Sequence, residues 1–168
     1  MIPMPLYLFL FFELIIITYL DIRYRKIPNQ YIILNLILYF FFISIFKENY
    51  NFTFGHYIYS IMFIVLGFIF FLHPQKIMAG GDSKLLASIF LLVPTSYHDL
   101  FLLNILWVTI LVTGFCIILN ILGNLSNIIE HIRRKNYSKI YAFGMKIPFT
   151  PVILLSWGWL GIEIYGQS

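Results

Sequence analysis

Six apolar runs separated by short polar stretches leave this chain few ways to fold. They are roughly Met4–Leu20, Tyr31–Phe46, Phe54–Leu72, Ser83–Pro94, Leu100–Leu122 and Phe149–Ile164. Several approach the roughly 20 apolar residues that a helix needs to cross a bilayer. With 61% of its 168 residues hydrophobic and 11% charged, the chain could not hide its apolar side chains as a soluble protein of this size. The expected class is therefore all-α. A single polytopic transmembrane domain covers residues 1–168, with about six helices and no separate soluble domain. The 18 Phe and 12 Tyr fit lipid-facing bulk and interfacial belts.

The fourth run is the weak one. About twelve residues rise only about 18 Å as a helix, short of a hydrocarbon core of about 30 Å. Taken alone it could be re-entrant, but charge placement argues for a crossing. The loops after the first, third and fifth runs hold Arg23, Arg25 and Lys26, then Lys76 and Lys84, then Arg133, Arg134, Lys135, Lys139 and Lys146. Lys47 alone falls on the other side. The positive-inside rule puts those three loops in the cytoplasm and both termini outside. Without a fourth crossing the last basic cluster would move outside and the bias would vanish.

The net charge of +4 is thus mostly a topology signal. No aromatic-interleaved basic surface suggests a nucleic-acid partner; the expected partner surface is the lipid bilayer. The polar stretch Ser126–Lys146 reads as a solvated orientation signal or a contact to anionic lipid. Basic residues follow the first run rather than precede it, the reverse of a cleavable signal peptide, so that run is expected to remain as an anchor. Cys116 is the one cysteine, and His56, His73, His98 and His131 are scattered without metal-ligand spacing. No metal and no cofactor are expected. Nothing in the sequence sets an oligomeric state.

Two of the seven acidic residues fall where chemistry is possible. Asp21 closes the first run in TYLDIRYRKIPN, and Asp82 opens the fourth in AGGDSK. The expected topology puts both at the cytoplasmic edge. Two carboxylates that share a proton can hydrolyse a peptide without a metal or a nucleophile. One, ionised, takes a proton from water; the other, protonated, polarises the scissile carbonyl. Each also has a structural alternative. Asp21 could pair with Arg23 or Arg25 at the interface, and Asp82 could cap the helix that follows. Gly80 and Gly81 permit positive φ and close backbone approach, which suits an extended substrate. Lys84 either eases the charge of the pair or snorkels to the interface. Glu13 lies mid-span, about 12 Å deeper than Asp21 by helical rise. It is a functional candidate by position, or a protonated or helix-bonded group. Asp99 and Glu163 lie toward the outer face and are poor partners for Asp21.

In order along the chain, these residues resemble the type IV prepilin peptidase family, the GxGD class of membrane aspartyl proteases. DIRYRKIPN, Asp21 to Asn29, is similar to the family's first motif, with its Ile-Pro-Asn element at Pro28 and Asn29. AGGDSKLLA, Ala79 to Ala87, is similar to its second. KIPFTPVILL, Lys146 to Leu155, is similar to its C-terminal motif, with Pro148 and Phe149 ahead of the last run. Two departures stand out: Ala79 replaces the first glycine of GxGD, and Thr150 the glycine of the C-terminal motif.

The resemblance implies catalytic roles for Asp21 and Asp82. It implies substrate-binding or site-shaping roles for Gly80, Gly81, Lys84, Pro28, Asn29, Pro148 and Phe149. The implied activity is cleavage of the leader from prepilin-like precursors at the cytoplasmic face of the cell membrane, in support of type IV pilus assembly and protein secretion. The chain resembles the compact, peptidase-only members. From the residues alone, a small ion- or proton-coupled transporter using Asp21, Asp82 and Glu13, or a non-catalytic assembly scaffold of the same fold, remains the alternative.

Overall fold

A computed structural model describes residues 2–45, 54–72, 80–125 and 149–166. They form six α-helices: α1 Met4–Tyr24, α2 Asn29–Ile45, α3 Phe54–Leu72, α4 Gly80–Leu92, α5 His98–Gly123 and α6 Thr150–Tyr165. A 3-10 turn, Thr95–Tyr97, joins α4 to α5. Most of the segments expected as the second and third cytoplasmic loops, together with Ala79 and Pro148, lie outside the described residues.

The apolar runs become helices, but the boundaries shift for physical reasons. α1 does not stop at Leu20. It continues through Asp21 to Tyr24, because a helix can carry polar residues past the end of an apolar run. It ends at Arg25, whose backbone is left-handed (φ 54°, ψ 35°) and whose N–H donates to the Asp21 carbonyl at 2.8 Å. Pro28 disfavours helix at the residue before it, and the chain turns there into α2.

α4 departs further from expectation. It starts at Gly80 rather than at Ser83, so GGDSK is the first turn of a helix and not a loop. Its 13 residues rise about 20 Å. Almost all of it is buried: Asp82, Ser83, Leu85, Leu86, Ala87, Ser88, Ile89, Phe90 and Leu92. The run that looked weakest as a lipid-facing helix is enclosed by other helices.

Side-chain pairs set the register around α4. Along α3, Ser60 Oγ donates to the Ala87 carbonyl at 2.9 Å, and Gly67 lies directly against Ser83. These pairs make α3 and α4 antiparallel. Asn35 Nδ2 on α2 donates to Ser88 Oγ at 3.2 Å, while Ile27, just before α2, packs on Gly81; α2 and α4 therefore run parallel. At the far end of α4, His56 Nε2 donates to the Leu91 carbonyl at 3.1 Å and His98 Nε2 to the Val93 carbonyl at 2.8 Å. The two imidazoles stack at 5.5 Å and satisfy carbonyls that a helix end leaves open.

α1 and α6 form a second antiparallel pair. Tyr165 donates to the Ile2 carbonyl at 2.7 Å, and Trp157 Nε1 to the Tyr7 carbonyl at 3.2 Å. The Tyr7 ring stacks on Trp157 and its hydroxyl lies over Gly161. α5 joins through Phe101, which meets both Phe90 and Trp157, and through Asn104, which donates to Glu163 at 2.8 Å. Glu163 also accepts from Trp159, and Asp99 from Tyr59, so both carboxylates have partners away from Asp21.

The bundle buries an apolar core with polar groups set among it and turns apolar groups outward. Glu13, Asn35, His56, Ser60, Ser88, His98 and Ser156 are buried, whereas Phe12, Phe40, Phe68 and Ile110 are each more than 60% exposed. Among the described residues, two helical stretches are long and apolar enough to cross a membrane: Met4–Tyr24 and Thr95–Gly123, the latter including the 3-10 turn. Shorter apolar helices cover Asn29–Phe42 and Phe54–Ile69.

The tight α3–α4 crossing has a testable consequence. A Cβ at Gly67 would overlap both Cβ and Oγ of Ser83. Gly67→Val should therefore destabilise the bundle by about 1–3 kcal/mol through overpacking. Gly114→Ala meets open space and should be neutral or slightly stabilising. Thermal unfolding in detergent compares the two; equal melting points would contradict the crossing.

Candidate active site

α1 and α4 carry the two aspartates that the sequence motifs single out, and α6 begins at Thr150. Asp21 is on the last turn of α1 and is 7% exposed. A buried carboxyl needs hydrogen-bond partners to offset its desolvation. Thr150 supplies one: its hydroxyl donates to Asp21 Oδ2 at 2.8 Å. Thr150 is the first residue of α6 and is fully buried. Phe149 precedes it, half-buried, in the cap position, and makes no side-chain cap. The end of α1 thus meets the start of α6.

Asp82 is the third residue of α4 and is also 7% exposed. In the first turn of a helix the backbone N–H groups have no intrahelical partner and the local field favours a negative charge. Asp82 lies in the first turn of α4, two residues past its first residue. Ser83, beside it, donates to the Gly80 carbonyl at 3.2 Å.

One contact ties the first motif to the second. A Cβ built on Gly81 would come within 3.2 Å of Ile27 Cβ, closer than side chains normally pack. The connector between α1 and α2 therefore touches the first turn of α4 through Ile27. It is held at one end by the Arg25 cap and at the other by Ile27. With the Thr150–Asp21 bond, this draws the start of α4, the start of α6 and the end of α1 to the same end of the bundle.

The tandem glycines are not equivalent. Neither has positive φ, and a Cβ on Gly80 would meet nothing within 4 Å among the described residues. Gly81 alone has a close neighbour, and it is Ile27 of this chain. Pro28 is half-buried and Asn29 exposed at the start of α2. Lys84 is exposed, two residues from Asp82 and so on a different face of α4. Arg23, one candidate partner for Asp21, instead donates to the Tyr19 hydroxyl at 2.6 Å and lies over the Tyr24 ring.

Glu13 is not brought to this end. It is 5% exposed, higher on α1, and neither carboxyl oxygen has a hydrogen-bond partner among the described residues; the Asn35 side chain lies beside it. Thr150 and Ile27 are the residues that sequence reasoning did not single out as partners. The only signal for Thr150 was its departure from the motif it sits in. No cluster of three or more His, Cys, Asp or Glu side chains occurs among the described residues.

Chemically, the arrangement offers two buried carboxyl groups, each near a helix N-terminus, one of them held by a hydroxyl. A comparison with protein families matches residues 8–121 to a model described as the type IV leader peptidase family. That span includes Asp21 and Asp82, and ends before α6. No curated protein and no solved structure matches the chain.

The contrast between the glycines can be tested. Gly80→Ala should leave stability and activity near those of the unsubstituted chain. Gly81→Ala must push Ile27 aside, and a displacement of about 1 Å at a reacting site costs roughly a hundredfold in rate. Turnover in Gly81→Ala should fall far more than its melting temperature. Equal behaviour of the two variants would contradict the Ile27 contact.

Proposed function

Because the chain belongs to the type IV leader peptidase family, we propose that it is a membrane-embedded aspartic endopeptidase of the GxGD type. It removes the leader from prepilin-like precursors at the cytoplasmic membrane face, with Asp21 and Asp82 as the catalytic pair. The observation that carries this reading is the burial of both carboxylates on the helix ends joined by the Ile27–Gly81 and Asp21–Thr150 contacts.

In this reading one carboxyl is ionised and the other protonated. The ionised group takes a proton from a water held between them, and the water oxygen bonds to the scissile carbonyl carbon. The protonated group gives its proton to the carbonyl oxygen, producing a neutral gem-diol. Collapse breaks the C–N bond. The leaving nitrogen takes the proton gained from water, and the diol proton returns to the carboxylate that donated it. The pair ends as it began.

Membrane embedding is supported by the outward apolar surface and inward polar groups, an arrangement that exposes large apolar patches if surrounded by water. Exposed Arg23, Arg25, Lys26 and Lys84 flank the end that holds Asp21 and Asp82, which favours the cytoplasmic side for that end. A precursor whose hydrophobic helix stays in lipid would present a short polar leader there. Pro28, Asn29 and Phe149 are proposed to shape the entrance, together with Pro148.

The test is cleavage in liposomes. The purified chain should release the leader from a single-pass prepilin-like precursor, with the new N-terminus read by mass spectrometry. Cleavage should persist in EDTA and after thiol blocking, and Cys116→Ser should be active. Failure to cleave such precursors, or loss in EDTA restored by zinc, would overturn the reading.

A further inference from the structure

The hydroxyl of Thr150 has several possible uses, and the one it takes is informative. At the first position of a helix, a threonine can serve its own backbone. Here the hydroxyl proton goes to Asp21 Oδ2 at 2.8 Å, across 129 residues of sequence. Both groups are buried, with Thr150 at 0% and Asp21 at 7% exposure.

We infer that Thr150 is a positioning residue for Asp21, pinning Oδ2 so that Oδ1 is the oxygen presented to the hydrolytic water. The inference rests on the peptidase reading above. An aspartate's terminal torsion is broad and roughly two-fold, so an unpinned carboxylate can exchange its two oxygens or turn off line. A hydroxyl has a single proton to give. Donation to Oδ2 occupies one oxygen and leaves the other for chemistry.

The anchor is stiff at each level. Threonine is β-branched, which restricts χ1. It stands on the first turn of α6, where the Val152 and Ile153 N–H groups both turn back to the Phe149 carbonyl, at 3.0 and 3.3 Å. α6 is in turn held along α1 by Trp157 to the Tyr7 carbonyl and Tyr165 to the Ile2 carbonyl. The same two helices that bond at Asp21 are thus clamped at the other end. Thr150 sets the angle of the carboxylate and does not itself touch substrate.

The experiment uses the full chain in liposomes with a prepilin-like precursor under steady-state conditions. Thr150→Val keeps the shape and removes the hydroxyl; Thr150→Ala is a second hydroxyl-free variant; Thr150→Ser keeps the donor on a freer side chain. Both hydroxyl-free variants should lose about ten- to a hundredfold in kcat with KM within about twofold, as expected of a misaligned reacting group. Thr150→Ser should recover to within about threefold of the unsubstituted chain.

A merely structural bond would lower activity only in proportion to the folded fraction, measured in parallel by thermal unfolding. That result would overturn the inference. So would wild-type kcat in Thr150→Val, or a Thr150→Ser variant as impaired as Thr150→Val. If the unsubstituted chain cleaves nothing, the peptidase reading fails and takes this inference with it.

Discussion

A polar group buried without a partner costs roughly 1–3 kcal/mol, and more if it is charged. Most of the buried polar side chains of this bundle meet it with a partner, Glu13 being an exception among the described residues. The Leu91 and Val93 carbonyls at the end of α4 are taken by His56 and His98, Ser88 by Asn35, Glu163 by Asn104, and Asp21 by Thr150. Each bond joins side chains or carbonyls on different segments or fixes a helix end. Together with the apolar core they fix how the helices pack, while the outward faces are left to apolar residues.

The proposed site inherits its geometry from that arrangement. α4 is enclosed by its neighbours, so Asp82 at its start is held by a helix with little freedom to shift. The Gly67–Ser83 crossing lies one residue from Asp82 and the Gly81–Ile27 contact one residue on the other side. Asp21 depends on a longer chain of support. α6 is fastened to α1 by aromatic stacking and two backbone-directed bonds, and Thr150 carries that fixity to the carboxylate. Catalysis by positioned acid and base groups requires this kind of rigidity, because small misplacements are costly in rate.

Much of this was legible in the sequence, for identifiable reasons. The apolar runs announced helices, and Asp21 and Asp82 stood out as carboxylates at the margins of such runs. The ends were harder. Hydropathy marks where a helix would leave lipid and not where its hydrogen bonding stops, so α1 ran past Leu20 to Tyr24. α4 seemed weak because its apolar run of about twelve residues is too short to cross a bilayer; it faces protein, where small residues permit close crossings. Gly80 and Gly81 look identical in sequence. They differ because one helical step of 100° turns only Gly81 toward Ile27. Bonds such as Thr150 to Asp21 leave no local pattern at all, since they depend on which helices become neighbours.

The measurement that tests the account most directly is a double-mutant cycle on the two aspartates, read as single-turnover cleavage in liposomes. If Asp21 and Asp82 act as one proton-sharing pair, Asp21→Asn and Asp82→Asn each abolish cleavage. The double variant is then no worse than either alone, since residues that act as a unit are strongly non-additive. All three variants should still insert and fold. Retention of more than about a few per cent of activity in either single variant, or losses that multiply in the double variant, would contradict a shared-proton mechanism.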